Sequence, residues 1–387
     1  MCAMANMEYA LRSITDRIAA ARADARPLRL RGGGSKDFLG VSQGELLDTR
    51  ALNGVISYEP TELVVTVGAG TPLSELEALL AEQGQCLAFE PPHFAWSTLG
   101  AAAATVGGMV ASGLAGPSRA SVGGVRDYVL GAKLINGLGQ HLTFGGQVMK
   151  NVAGYDVSRL MVGARGTLGL LTQVSLKVLP VAPSEATLCF ALEQEAALEH
   201  LHRWGGEPLP LNASCWVMGD SAPGISGQPT LYVRLRGAVA AVEAACQKML
   251  AEVAGQRMEN AQSAPDWELC RNQQLPFFTT QAPQGTVLWR LSVPQTAAVL
   301  RLPSHPLIEW HGGLRWVWAP LAAGVDLQNL AREAGGTATL FVNPAFTTAQ
   351  ANATQALRSE SPSLNAISQR LKASFDPQGI FNPGLVS

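Results

Sequence analysis

Arg31-Gly32-Gly33-Gly34-Ser35-Lys36 is the first place where residue types and spacing offer a chemistry. Three successive glycines follow a short apolar strand, Leu28-Arg29-Leu30, so their backbone N–H groups can be presented together. With the Ser35 hydroxyl they can cradle a diphosphate, while Arg31 or Lys36 balances its charge. The loop is not a Walker A loop, because Lys36 precedes Asp37 and lacks the required glycine spacing, and no G-x-G-x-x-G opens a helix here. A plain surface turn is the alternative reading of the triplet taken alone.

The stretch from Ala101 to Gly131 is the second candidate. From Gly100 through Gly131 it holds eight glycines, no lysine and no charge before Arg119. Side chains this small build little core of their own, so the backbone is expected close to something bulky. Gly107-Gly108 and Gly123-Gly124 bring N–H groups near a phosphate, and Ala111, Ser112 and Gly113 leave room for flat rings. As a membrane span, Leu99 to Gly116 offers too little apolar surface, and Pro117 and Arg119 follow at once. A flexible linker would be polar and Ser-rich. A close-packed Ala/Gly turn region stays open as the alternative.

Acid–base candidates are sparse. The six histidines form no cluster: His200 and His202 share an expected helix with Trp204, and His93, His305 and His311 stand apart. Arg290, His311 and Arg315 are weak catalytic candidates, able to bind a carboxylate if the strands bring them together, since a guanidinium matches a carboxylate in two-pronged geometry. Strand arginines that simply pair with acids are the alternative. No metal site is expected.

Stepping outward, 387 residues suit two domains, and 47% apolar with 15% charged residues describes a globular chain with a large core. A net charge of −2 without a Lys/Arg run argues against nucleic acid as partner. The first residues show no secretory apolar core and reach Arg12, Asp16 and Arg17 early, so a cytoplasmic location is expected. Six cysteines without a C-x-x-C suit reduced core thiols and exclude an obvious iron–sulfur or zinc site.

Leu11, Ile14 and Ile18 predict an amphipathic first helix over Met7 to Arg22. Strands are expected at Val55 to Tyr58 and Leu63 to Val67. A helix capped by Thr71 follows, with Leu73, Leu76 and Leu80 inward, then a strand at Leu87 to Glu90. Tyr128 to Ile135 and His141 to Phe144 read as a hairpin turning at Asn136-Gly137, and Leu170 to Leu179 as an alternating strand. Pro180 to Ser184 marks a boundary. Beyond it, two rounds of strands and helices suggest an antiparallel sheet of ferredoxin-like kind. Seven of the eight tryptophans lie beyond residue 200, fitting either a core or a partner interface. The tail from Ile367, ending Phe375-Asp-Pro-Gln-Gly-Ile-Phe-Asn-Pro-Gly384, carries enough apolar bulk to dock rather than fray.

Together the Arg31–Lys36 loop, Thr105–Gly108, Ala111–Gly113, Gly124 to Gly131, Gly166 to Gly169 and this tail resemble the vanillyl-alcohol-oxidase-type FAD enzymes, with their p-cresol-methylhydroxylase (PCMH)-type FAD domain. Within that family the chain is most similar to FAD-binding E subunits of bacterial glycolate oxidases. Lys150-Asn-Val-Ala-Gly-Tyr-Asp156, Asn272 to Phe278, Leu288 to Pro294 and Trp310-His-Gly-Gly-Leu-Arg-Trp316 carry the closer likeness.

The resemblance implies an α+β fold: a PCMH-type FAD-binding domain of two α+β subdomains over residues 1–182, a ferredoxin-like cap over 183–345, and a segment over 346–387 returning to the flavin. It implies that Gly32 to Lys36 hold the FAD diphosphate, while Thr105, Gly107, Gly108, Ala111, Ser112 and Gly113 line the diphosphate and the flavin's inner face. Gly124 and Asp127 would sit near the ribityl and adenosine arm, Gly169 and Leu170 at the far side, and Asn382 would return from the tail. The histidine that tethers flavin covalently in some relatives is missing from Gly-Gly-Gly-Ser-Lys-Asp, so FAD is expected to be non-covalent. The histidine-and-glutamate cluster of larger hydroxy-acid-oxidising relatives is missing as well. The implied function is therefore that of one FAD subunit in a complex oxidising glycolate, a 2-hydroxy acid. A larger homologous flavin subunit would hold the hydroxy-acid site, and an iron–sulfur subunit would take the electrons, the whole peripheral to the inner membrane. A stand-alone FAD alcohol or hydroxy-acid oxidoreductase and a non-catalytic flavin scaffold remain the alternatives.

Overall fold

A computed structural model of the chain describes residues 2–40, 42–94, 103–146, 156–219, 227–279, 283–342 and 362–385. Most of the Lys150–Asp156 motif lies outside these. The chain divides into two units: Met1–Leu114, Gly124–Pro180 and Thr347–Ser387 in the first, Ala115–Gly123 and Val181–Phe346 in the second.

The first unit opens on helix α1 (Cys2–Ala23), which buries Ala10, Ile14, Ile18 and Ala21 along one face. That stripe packs on strand β1 (Leu28–Arg31) and strand β2 (Glu45–Asp48), which pair in parallel with Leu28 opposite Glu45. Strands β3 (Val55–Glu59) and β4 (Val64–Gly68) lead to helix α2 (Leu73–Glu82), whose Leu73, Leu76 and Leu80 are buried as their spacing predicts. Two details differ from expectation. Thr71 does not cap α2; its hydroxyl accepts from Gly54 N–H at 3.0 Å, tying the β3 entry to the loop after β4. The strand expected at Leu87 to Glu90 is instead the two-residue β5 (Gln85–Cys86), and Leu87 and Phe89 serve as buried turn residues.

Helix α3 (Val106–Ser112) occupies part of the glycine-rich stretch and buries Val106, Met109 and Val110. The turn α4 (Arg119–Val122) belongs to the second unit, and the turn α5 (Val125–Tyr128) returns to the first. Strands β6 (Val129–Ile135) and β7 (His141–Gly145) form the hairpin; the turn α6 (Val157–Leu160) and strands β8 (Leu170–Lys177) and β9 (Leu179–Pro180) complete the unit. The antiparallel sheet runs β3-β4-β8-β6-β7.

The C-terminal helix (Pro362–Phe375) and the tail dock as part of this unit. Ile380 and Phe381 enter the core beside Leu28, Leu47 and Ile18, and Phe381 bridges to Leu28 in parallel, extending β1–β2. The buried Asp376 carboxylate fixes the turn by accepting from Ile380 N–H at 3.1 Å and Phe381 N–H at 2.9 Å.

The second unit is one antiparallel sheet of eight strands. Its elements are β10 (Ser184–Ala191), α7 (Gln194–Gly205), β11 (Leu211–Val217), β12 (Thr230–Gly237), α8 (Val239–Glu252), β13 (Gln256–Met258) and α9 (Asn260–Arg271). After them come α10 (Pro276–Thr279), β14 (Val287–Ser292), β15 (Leu307–Glu309), β16 (Leu314–Ala319), α11 (Gly324–Glu333) and β17 (Thr337–Val342). The strand order is β13-β10-β12-β11-β15-β16-β14-β17. Trp204, Leu198, Val242 and Met249 of α7 and α8 pack on Leu188, Phe190 and Val233 of the sheet. All seven late tryptophans are buried, so this unit uses them as core. Helix α9 escapes sequence periodicity because its buried positions are Ser263, Trp267 and Cys270, with Pro265 inside the helix.

Candidate functional site: a diphosphate-sized cradle and an arginine–indole cluster

In the first unit, β1 delivers the Gly32–Lys36 loop to the start of α3. The two are in close backbone contact: a Cβ placed on Gly33 would lie 1.5 Å from the Ala103 carbonyl oxygen, and one on Gly32 2.4 Å from Thr105 Oγ1. Only glycine allows this approach. A cavity of about 300 Å³ opens there, at the small end of ligand pockets and suited to the diphosphate part of a dinucleotide. Arg31, Gly32, Gly33, Gly34, Ser35 and Lys36 line one side of it. Thr105, Gly108, Ala111, Ser112 and Asn382 also line it, so residues far apart in sequence meet at one place.

The loop's backbone is prepared for an anion. The N–H groups of Gly32, Gly33, Gly34 and Ser35 donate to no acceptor among the described residues. Arg29, also on the wall, has a buried Nε without a hydrogen-bond partner. Lys36 Nζ reaches Ser35 Oγ at 3.3 Å and lies 5.6 Å from the Phe94 ring centre. Arg31, by contrast, is paired with Asp37 at 2.7 Å, so part of its charge is already balanced.

Other expected ligands are placed differently. Gly107 N–H donates to Ala69 carbonyl at 2.7 Å and Gly108 N–H to Thr105 Oγ1 at 3.2 Å, so this pair anchors α3 instead of offering N–H groups to phosphate. Gly123 N–H donates to the Arg119 carbonyl, closing α4, and Gly124 N–H to the Asp127 carboxylate at 2.8 Å, capping the start of α5. Gly113 ends α3 in a left-handed conformation against Gly163. Gly169 lies against Leu134 and Ile135 of β6, and Leu170 is in the core with Ile380. Gly107, Gly113, Gly124, Asp127, Gly169 and Leu170 therefore stand outside the cavity wall. Asn382 reaches the wall, yet its amide is engaged: Oδ1 accepts from Leu30 N–H at 2.7 Å, and Nδ2 donates to Arg165 carbonyl at 2.7 Å. It works as a clip holding β1 beside the Arg165 loop. Arg29 and Arg165 are among the wall residues that sequence reading missed, because an isolated arginine carries no motif.

In the second unit the three catalytic candidates do not converge. Arg290 pairs across β14–β16 with Trp316, whereas Arg315 pairs with Leu291, so alternation sends the two arginines to opposite faces. Arg315 is fully buried and donates to the carbonyls of Ala297, Ala298 and Gly312, a structural role; burial pulls its pKa down to about 10. His311 follows Trp310 in a tight turn where both have positive φ, 55° and 54°, a conformation rare for bulky residues. Its ring is held between Ser121 Oγ, 2.9 Å from Nε2, and Ser214 Oγ, 3.1 Å from Nδ1. Arg290 lies over the Trp310 ring at 5.2 Å, and Arg119 over the same ring at 4.5 Å. Among the described residues no three His, Cys, Asp or Glu side chains gather as metal ligands.

Burial lowers the His311 pKa to about 4, against about 6.5 when unfolded. The folded ring stays neutral while the unfolded ring takes up a proton, so His311 stabilises fully above pH 6.5 and its contribution is lost as pH falls toward 4. The loss is about 3 kcal/mol at the rate of ~1.4 kcal/mol per pH unit. Melting curves between pH 7.5 and 4.5 should therefore show a steeper fall for the native chain than for His311→Gln. Parallel slopes would contradict it.

Similarity to known proteins agrees with the first-unit cradle. A family model described as an FAD binding domain matches residues 12–145. Over 374 residues the chain is 42% identical to the glycolate oxidase subunit GlcE of Escherichia coli (strain K12), covering 96% of each protein. The chain belongs to the GlcE family of glycolate oxidase subunits. Similarity of this GlcE-family chain to the glycolate oxidase subunit GlcD of Bacillus subtilis (strain 168) is 30% over 165 residues, 42% of the chain and 34% of that protein. A solved structure of alkyldihydroxyacetonephosphate synthase superposes with a TM-score of 0.64 over 96% of the chain and 75% of its own length. At 15% identity it speaks for the GlcE-family fold, an α+β PCMH-type FAD architecture. No helix among the described residues is long and apolar enough to cross a membrane.

Proposed function

We propose that the chain is the FAD-binding subunit of a glycolate-oxidising complex, acting with a larger homologous flavin subunit and an iron–sulfur subunit. The observation that carries this reading is full-length similarity to a glycolate oxidase subunit combined with an unspent N–H cradle inside the region matched as an FAD binding domain.

The residues present fit the cofactor. Clustered N–H donors at Gly32 to Ser35 and the orphaned Arg29 Nε suit a diphosphate, and Lys36 adds a positive charge at the cradle's edge. Thr105 packs beneath the loop and Asn382 clips β1 in place, so the donors are held before any ligand arrives. FAD bound there would supply acceptance of the two electrons released as glycolate is oxidised to glyoxylate, and their delivery onward one at a time. This sequence has no C-x-x-C spacing, which supports electron transfer to a separate iron–sulfur polypeptide.

Co-expression with tagged partner subunits tests the assignment. The expected result is a stable complex whose flavin is bleached by glycolate. A chain that stays monomeric beside both partners, with glycolate oxidation undiminished when it is left out, would contradict it.

A further inference from the structure

The second unit contains two guanidinium groups on one indole, and neither has an ion pair among the described residues. Arg119, on the α4 turn, is exposed; Arg290, on β14, keeps only a partial opening to solvent. Both lie against Trp310, and Arg290 also reaches the Trp316 ring, 6.0 Å away. Neither arginine forms an ion pair or a hydrogen bond from its guanidinium among the described residues. The neighbouring carboxylate, Glu309, is buried and favours the Arg290 charge from a distance, while its Oε2 accepts from Trp316 Nε1 at 2.7 Å and its Oε1 from Cys270 Sγ at 3.3 Å. Burial and the Arg119 charge, against the opposing pull of Glu309, bring the Arg290 pKa down to about 10.

The platform is built, not incidental. Trp310 Nε1 donates to Gly116 carbonyl at 2.9 Å, fixing the indole against the segment that carries Arg119. His311, the next residue, clasps Ser121 on the same turn. The left-handed conformations of Trp310 and His311 are the local cost of aiming both side chains this way.

We propose that Arg119 and Arg290, stacked on Trp310, form a binding site for a small carboxylate anion within the second unit. Guanidinium groups meet a carboxylate in paired, charge-assisted hydrogen bonds, and a bound anion removes the repulsion between the two cations. Indole stacking holds the guanidinium planes and leaves their N–H edges for the ligand. The site gives this chain a carboxylate contact of its own, beyond the hydroxy-acid site expected in the larger subunit. Linking it to glycolate rests on the function proposed above; the anion site itself does not.

Isothermal titration of the purified full-length chain with oxalate, a two-carbon carboxylate that cannot donate a hydride, tests the site. Saturable binding is expected, weakened about tenfold or more in Arg119→Gln and in Arg290→Gln. Arg119 is exposed, so its variant should keep the native melting temperature even if the Arg290 variant does not fold. Heat no greater than that from sodium chloride of equal ionic strength would overturn the proposal, as would a folded Arg119→Gln chain that binds oxalate like the native one. Flavin absorbance of the same samples, before and after FAD is added, separates the two readings: flavin uptake without oxalate binding rejects the anion site alone, and oxalate binding by a chain that takes up no FAD rejects the cofactor assignment alone.

Discussion

Gly33→Ala is expected to cost the chain its flavin. The added methyl would sit 1.5 Å from the Ala103 carbonyl oxygen, an overlap with backbone that no side-chain rotation relieves. Overpacking of well-filled sites costs about 1–3 kcal/mol and sometimes more. Here the strain falls on the loop whose N–H groups form the cradle, separating β1 from the start of α3. At ~1.4 kcal/mol per tenfold, FAD affinity should fall by about 100-fold. Flavin fluorescence titration of the apo-chain measures it. Gly84→Ala is a suitable control, because nothing lies within 4 Å of the added carbon, although its φ of 63° adds local strain. Unchanged FAD affinity in Gly33→Ala would remove the loop from the site.

Asp376→Ala is expected to give the largest stability loss. The carboxylate accepts from two buried N–H groups, those of Ile380 and Phe381, and has Lys372 Nζ 3.5 Å away. Truncation leaves both N–H groups buried without an acceptor, at about 1–3 kcal/mol each. It also opens a gap beside Gly137, which packs directly on this side chain. A loss of about 3–5 kcal/mol in the first unit follows. The tail would release Ile380 and Phe381 from β1 and carry away the Asn382 clip, so flavin affinity should drop with it. Chemical denaturation checks the first effect; a change below about 0.5 kcal/mol, the range of an ordinary surface substitution, would contradict the role.

How much of this could be read from sequence depends on what kind of signal each residue gives. The apolar stripe of α1, the strands on either side of Asn136-Gly137 and the two strand–helix rounds of the second unit follow from side-chain periodicity alone. The tail's docking was legible from Ile380 and Phe381, which have no reason to be apolar in solvent. The glycine loops were legible as backbone features, but their division of labour was not. Gly33 and Gly107 look alike in sequence; in the fold one borders the open cradle and the other donates its N–H to Ala69. That difference is set by which carbonyl lies opposite, a tertiary fact. Arg29 was hidden for a related reason, since an orphaned Nε is a property of surroundings. Arg290, His311 and Arg315 show the limit most plainly. A cluster required the strands to bring them together, and a one-residue offset in the β14–β16 register divides the two arginines between faces. Arg119, which does join Arg290, lies in a segment that a linear boundary assigns to the other domain.

An absorbance spectrum of the chain purified alone tests the central claim most directly. Flavin bands near-stoichiometric with protein, moving wholly into the supernatant on acid precipitation, are the expected result, because no histidine stands in the Gly32–Lys36 loop to tether the ring. A colourless chain that gains no flavin when FAD is added, or flavin that stays with the precipitated polypeptide, would contradict the account.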